Sequence, residues 1–274
     1  MTSLLSNDQI ERYRQEGVVF PARVLSDDEV VGFRTAFLSL ESRLGGRPAH
    51  RQLIQPHLCY RWAFDLATHP RVLDVVEQII GSNILVHSTS LFPKYPSETD
   101  RISWHQDAYY WGLSSPRLVS AWVALTESTT TNGCLRVIAR THDQQRVPHV
   151  QSGQHKGTRL SLEVAVDVDE SKAIDCVLKP GEISLHHPYA IHGSNPNRTD
   201  SSRIGFAIRF VSPEVSQSLP HHAVILARGN DSYHHYELLD SPPADEIEKG
   251  IARQAEVARW IDSVPRSIGE QAPA

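Results

Sequence analysis

Residues 103–112 read "SWHQDAYYWG", and they place an imidazole, His105, two positions before a carboxylate, Asp107. In an extended strand, residues two apart project from the same face, so His105 and Asp107 point together while Gln106 points away. Two histidines and a carboxylate on one face bind non-heme Fe(II) and leave three coordination positions open. His105 and Asp107 supply two of those three ligands. The spacing alone reads more simply as a structural His–Asp hydrogen bond in a packed sheet, so the metal reading rests on a third ligand elsewhere.

The second informative stretch runs from Lys179 to Phe210, "KPGEISLHHPYAIHGSNPNRTDSSRIGFAIRF". Turn formers in "GSNPNRTDSS" separate two β-patterned runs, which predicts a hairpin with its apex near Asn197 and Arg198. That return brings Arg203 beside the end of the strand carrying His192, eleven residues earlier. An imidazole and a guanidinium in one cavity suit a metal that chelates a 2-oxoacid, because the planar fork of arginine takes a distal carboxylate bidentately. Taken singly, Arg203 also reads as a structural or surface cation.

The elements that must position these groups fall into three parts. The first 80 residues read helical: "LSNDQIERYRQEG" ends on Gly17, and a second helix opens on the capping box Ser26–Glu29 and stops at Gly45–Gly46. A third runs from about Pro70 to Ile80, and all three read as packing elements. From Ile84 the chain breaks into seven strand-length runs rich in β-branched and aromatic residues, the pattern of a sandwich or barrel rather than of alternating βα units. A last helix is expected within 244–264. The resulting division is one domain over 1–274, with helical support at 1–83, a β core at 84–212, a loop and C-terminal helix at 213–265 and a tail at 266–274. Two long polar stretches, 143–159 and 213–236, read as lids. His221, His222, His234 and His235 within the second are expected at the surface or on the substrate side rather than as ligands.

Bulk properties exclude several classes. The 274 residues carry 27 Lys and Arg against 32 Asp and Glu, a net charge of −5, with no basic run able to track a phosphate backbone. Nucleic acid is not expected as a partner. No stretch approaches the length of apolar residues that a membrane span needs. Three scattered cysteines, Cys59, Cys134 and Cys176, fit reduced thiols and a cytoplasmic setting. Oligomeric state is not legible.

Together, "WHQD", "AWVAL", "NGCLRV", "KPGEISLHH", "IHGSNPNR" and "RIGFAIRF" resemble the phytanoyl-CoA dioxygenase family of Fe(II)/2-oxoglutarate oxygenases, in order and spacing, to about residue 236. The resemblance implies a mainly β fold with flanking α-helices, built on a double-stranded β-helix, the jelly-roll core of cupin-like proteins. It implies Fe(II) held by His105, Asp107 and His192, with 2-oxoglutarate and O2 as cosubstrates. It makes Arg203 the 2-oxoglutarate anchor, Ser194 an assisting hydroxyl and Trp122 a neighbour of the cosubstrate. The implied activity is a dioxygenase that oxidises an unactivated C–H bond of a small molecule, with hydroxylation as default and succinate and CO2 as co-products. Desaturation or ring closure at the same site is an alternative, as is a non-catalytic β-barrel binding protein. Halogenating relatives replace the carboxylate ligand by a small residue, so Asp107 favours oxygenation. Tyr109, Tyr110 and Trp111 are expected to border the substrate pocket. Arg140, in "ARTH" where relatives have "PGSH", is a further candidate contact.

Overall fold

The computed structural model describes residues 4–151, 162–221, 223–239 and 242–263. Helix α1 (Asn7–Glu16) starts on a Ser6–Gln9 capping box and ends at Gly17, whose left-handed φ of 78° lets its N–H reach the Tyr13 carbonyl. Strand β1 (Val18–Arg23) follows, then α2 (Asp27–Arg43), opened by the Ser26–Glu29 box, then α3 (Arg61–Ala67) and α4 (Pro70–Ile80). The strands continue as β2 (Ile84–Leu91), β3 (Ile102–His105), β4 (Leu118–Ala124), β5 (Leu135–Ile138), β6 (His149–Gln151) and β7 (Leu162–Val164). They end with β8 (Ala173–Cys176), β9 (Glu182–His186), β10 (His192–Ser194), β11 (Gly205–Val211) and β12 (Ile225–Arg228), before α5 (Ile247–Ser263).

Two antiparallel sheets make the core. The larger has the order β1-β9-β4-β11-β2-β12, the smaller β3-β10-β5-β8, and β6 pairs with β7 as a separate ribbon. Alternation along β4 and β11 explains the layering. Val119, Ala121 and Val123 of β4, with Phe206, Ile208 and Phe210 of β11, pack with Phe37 and Leu40 of α2 and Val72, Val75 and Val76 of α4. At roughly 1.5–3 kcal/mol for each large side chain removed from water, this apolar layer fixes the register of both strands. The intervening residues, Ser120 and Trp122 on β4 and Ala207 and Arg209 on β11, must then turn to the other face, toward the smaller sheet. The two sheets meet where Val18 packs with Leu135, Val137 and Cys176.

Four expectations change. The first 80 residues are not wholly helical, because "VVFPAR" forms β1 and pairs with β9. Pro21 donates no hydrogen bond, and the edge of the sheet is where a strand tolerates it. The predicted hairpin at 195–204 is a crossing between sheets, with β10 in the smaller and β11 in the larger. Its turn chemistry is as expected, since Asn197 accepts from the Thr199 N–H, but the Asn197 amide also donates to the Lys94 carbonyl, and Lys94 pairs with Arg203. The 213–236 stretch contains β12 against β2, so part of it is sheet edge rather than lid. In the other expected lid, His149–Gln151 is β6, residues 152–159 lie outside the described residues, and so does His222. Among the described residues, no helix is long and apolar enough to cross a membrane.

Candidate metal centre between the sheets

His105 ends β3 and pairs in register with His192 of β10, which places their rings 4.1 Å apart. The strand stops there, and Asp107 opens a turn of 3₁₀ helix, Asp107–Tyr110. Gln106 between them stays extended, so the alternation read from "WHQD" survives the end of the strand. Its side chain turns away, donating to the Gln145 and Tyr189 carbonyls and accepting from the Val147 N–H.

Ligand atoms of His105, Asp107 and His192 lie within 4.8 Å of one another, and all three residues are buried. Asp107 Oδ1 stands 3.8 Å from His105 Nε2 and 4.0 Å from His192 Nε2. Each imidazole gives its Nδ1 hydrogen to a carbonyl, His105 to Ser103 and His192 to Ala190, both at 2.9 Å. A carbonyl only accepts, so the Nε2 lone pairs are left facing Asp107. Burial holds both imidazoles below their usual pKa, His192 well below, with the crowding of neighbouring histidines adding to it. Two neutral nitrogens and one carboxylate oxygen, desolvated and convergent, are a donor set that fits Fe(II).

The carboxylate is itself held. Ser120 donates to Asp107 Oδ2 at 2.6 Å, and Arg209 donates from Nε to Oδ2 and from Nη2 to Oδ1, both at 3.3 Å. Burial alone would raise this carboxyl, but the Arg209 guanidinium overcomes it and keeps Asp107 well below the usual carboxylate range. His186, the last residue of β9, places Nε2 at 3.6 Å from Asp107 Oδ2, an electrostatic contact rather than a hydrogen bond.

Arg203 is buried just before β11. Its Nη1 donates to the Phe92 carbonyl at 3.0 Å and its Nη2 to the Gly133 carbonyl at 2.9 Å, and its Cζ lies 5.0 Å from the Trp122 ring centroid. The ring is held by close approach: a Cβ on Gly205 would fall on Trp122 Cζ2. Two cavities adjoin the triad. The narrower, about 40 Å³, is lined by His192, Ser194, Arg203 and Trp122. The wider, about 250 Å³, is lined by Asp107 and Trp111, and both include His105, Phe92 and Arg209.

Of the other residues singled out in the sequence, Tyr109 stacks on His149 with centroids 3.9 Å apart. The side chain of Tyr110 lies outside the described residues. Arg140 borders neither cavity. It adopts a left-handed φ of 65° at the end of β5, and its N–H is tied to the Glu16 carbonyl at the C-terminal end of α1. Sequence reasoning missed Arg209, Ser120 and His186. An arginine inside the otherwise apolar "GFAIRFV" was a usable signal, because a charge in a doubly covered strand needs a buried partner.

The profile of the family described as "Phytanoyl-CoA dioxygenase (PhyH)" matches residues 13–205. Human peroxisomal phytanoyl-CoA dioxygenase is 33% identical over 156 residues, covering 55% of this chain and 46% of the relative. Ectoine dioxygenase of Bordetella bronchiseptica is 24% identical over 241 residues, covering 79% of this chain and 78% of the relative. This chain spans about half the length of its human and Caenorhabditis elegans relatives. Among solved structures, the apo form of the non-heme monooxygenase ThoJ superposes with a TM-score of 0.77 at 32% identity, covering 93% of this chain and 99% of that one. EctD from S. alaskensis with 2-oxoglutarate and 5-hydroxyectoine shares the fold, at a TM-score of 0.66.

Proposed function

This chain belongs to the phytanoyl-CoA dioxygenase family, and from that premise we propose that it is an Fe(II)/2-oxoglutarate-dependent oxygenase that hydroxylates a C–H bond of a small molecule. The observation that carries the reading is the convergence of His105, Asp107 and His192 beside a narrow cavity that ends on Arg203. His105 Nε2, His192 Nε2 and Asp107 Oδ1 would hold the metal. Bound there with 2-oxoglutarate and O2, Fe(II) supplies the oxidising chemistry, in which the cosubstrate is decarboxylated to succinate and CO2 as the C–H bond is oxidised.

The protein's own part is positioning and dryness. The carbonyls of Phe92 and Gly133 fix the plane of the Arg203 fork, so that it meets a distal carboxylate in one orientation, with the Ser194 hydroxyl lining the same cavity. Trp122 supplies an apolar wall that excludes water from that ion pair and strengthens it. Arg209 and Ser120 keep Asp107 ionised and its Oδ1 turned toward the two imidazoles. Trp111, on the wider cavity, borders the substrate. Desaturation and ring closure use the same positioning. Residues 1–274 act as one oxygenase unit on a small-molecule partner, and three buried free cysteines suit the reducing cytoplasm.

Anaerobic addition of Fe(II) and 2-oxoglutarate tests the site. A visible metal-to-ligand charge-transfer band is expected in the wild type and is expected to disappear in His192→Ala and Asp107→Ala. A wild type without the band, or variants that keep it, would refute the assignment.

A further inference from the structure

The wider cavity shares the metal-side residues but has a different chemistry from the narrow one. Its walls come from β2, from Trp111 and from the segment around a 3₁₀ turn, His50–Leu53. Leu53, Ile54, Leu91 and Phe92 give it an apolar wall. Beyond the metal-side His105 and Asp107, its polar lining is His50, Gln55, the hydroxyls of Ser88, Thr89 and Ser90, and the Arg209 guanidinium, and several of these have hydrogens to give. Ser88 and Ser90, two apart on β2, face the same way, while Thr89 between them is engaged with His57 Nδ1 at 2.8 Å. The Ser90 hydroxyl accepts from Arg209 Nη1 at 3.1 Å and so keeps its own hydrogen to give. Ser88 Oγ has no hydrogen-bond partner among the described residues.

Gln55 is the most constrained of these groups. It holds a left-handed φ of 56°, which costs a non-glycine residue free energy and marks a position fixed by its surroundings. Its N–H donates to the Thr89 carbonyl at 2.8 Å, and its side-chain Oε1 accepts from the Thr89 N–H at 3.1 Å. That pair of bonds spends the amide's acceptor on the protein and leaves the Nε2 hydrogens without a partner among the described residues. Asp107 is the one carboxylate lining the cavity, and Arg209 and Ser120 already occupy it.

Resting on the oxygenase reading above, we infer that this cavity takes the molecule to be oxidised and selects an uncharged or anionic compound. A carbonyl, carboxylate or ether oxygen of that compound is read by Gln55 Nε2 and Ser88 Oγ, and its hydrocarbon body lies on Leu53 and Phe92. An ammonium group is rejected, because it would lose its water shell beside Arg209 with no open carboxylate to pair with.

Three cyclohexyl probes test this: cyclohexanone, cyclohexanecarboxylate and cyclohexylammonium, each offered to protein loaded with Co(II) and 2-oxoglutarate without O2. Relaxation of the ring protons by Co(II) reports binding close to the metal. The ketone and the carboxylate are expected to bind at least tenfold more tightly than the ammonium. Ser88→Ala should weaken both by fivefold or more, and Gln55→Glu, which keeps the acceptor toward Thr89 and replaces the donor by a charge, should reverse the preference toward the ammonium. Equal or tighter ammonium binding in the wild type, no effect of either variant, or no binding by any probe overturns the inference while the Co(II) spectrum stays intact. If the Co(II) and 2-oxoglutarate spectrum never forms, the oxygenase reading itself fails and takes this inference with it.

Discussion

Arg209 grips Asp107 through two nitrogens, each 3.3 Å from a different carboxylate oxygen, so the proposed ligand is already half-neutralised by the opposite sheet. The pair sets up a competition at Oδ1, which faces the guanidinium on one side and the two imidazoles on the other.

Arg209→Leu should therefore weaken metal binding rather than strengthen it. The guanidinium keeps a desolvated carboxylate ionised and aimed, and partners that orient a ligand are typically worth 10–100-fold in metal affinity. A Co(II) titration followed by absorbance is expected to show a loss of about that size. Arg209→Lys should recover little of it, because an ammonium lacks the two-pronged geometry.

Removing the Arg203 fork should separate cosubstrate binding from metal binding. Loss of a buried charge-assisted pair costs about 2–5 kcal/mol, so Arg203→Ala is expected to weaken 2-oxoglutarate by roughly 30-fold or more. The Co(II) titration of the same variant should match the wild type. A parallel loss of metal would mean that Arg203 holds the fold rather than the cosubstrate.

Gly205→Ala should act through Trp122. The added methyl falls on the indole, and overpacking of this kind costs about 1–3 kcal/mol. Thermal unfolding should show that loss, and 2-oxoglutarate affinity should fall with it as the wall beside Arg203 shifts. The paired variant Gly205→Ala/Trp122→Phe, with a smaller ring, is expected to regain most of the stability.

Acidification should destabilise the metal-free protein between neutrality and pH 5. Burial lowers His87 from 6.5 to about 4, so its unfolded form binds a proton that its folded form refuses. A group with a depressed folded pKa of this cationic type contributes nothing above pH 6.5 and costs progressively more stability as the pH falls toward 4. At pH 5 the cost is about 2 kcal/mol from this residue alone. Denaturant unfolding at pH 7 and pH 5 should show it, and His87→Phe should shrink the difference by about that amount while the other buried imidazoles keep the rest.

The parts of this molecule legible in the sequence are those written in local chemistry. The Ser26–Glu29 box and the Pro70 start delimit α2 and α4 as the structure has them, because caps and 3.6-residue periodicity need no distant partner. The strands of the core were legible as strands but not as neighbours. Turn residues at 195–204 announce a reversal, and nothing in them says which sheet receives the returning strand. The short edge strands β1 and β12 were not found, since one carries a proline and the other sits in a polar stretch. Of the site, the members of "WHQD" and "IHGS" could be picked out, whereas Gln55 and Ser88 carry no mark in sequence beyond their types. They matter only because β2 and the 50–55 segment lie side by side, and that adjacency is a tertiary fact.

The pairing of His105 with His192 also bears on how the chain folds. The two residues belong to neighbouring strands of one sheet but to opposite halves of the sequence's β region, and Arg209 reaches Asp107 from the other sheet. Such non-local contacts form only after long loops have closed, which makes assembly slow and places it late. Helices are therefore expected to form before the metal site does. Metal added during refolding should leave the early helical signal unchanged and draw off only the last species to appear.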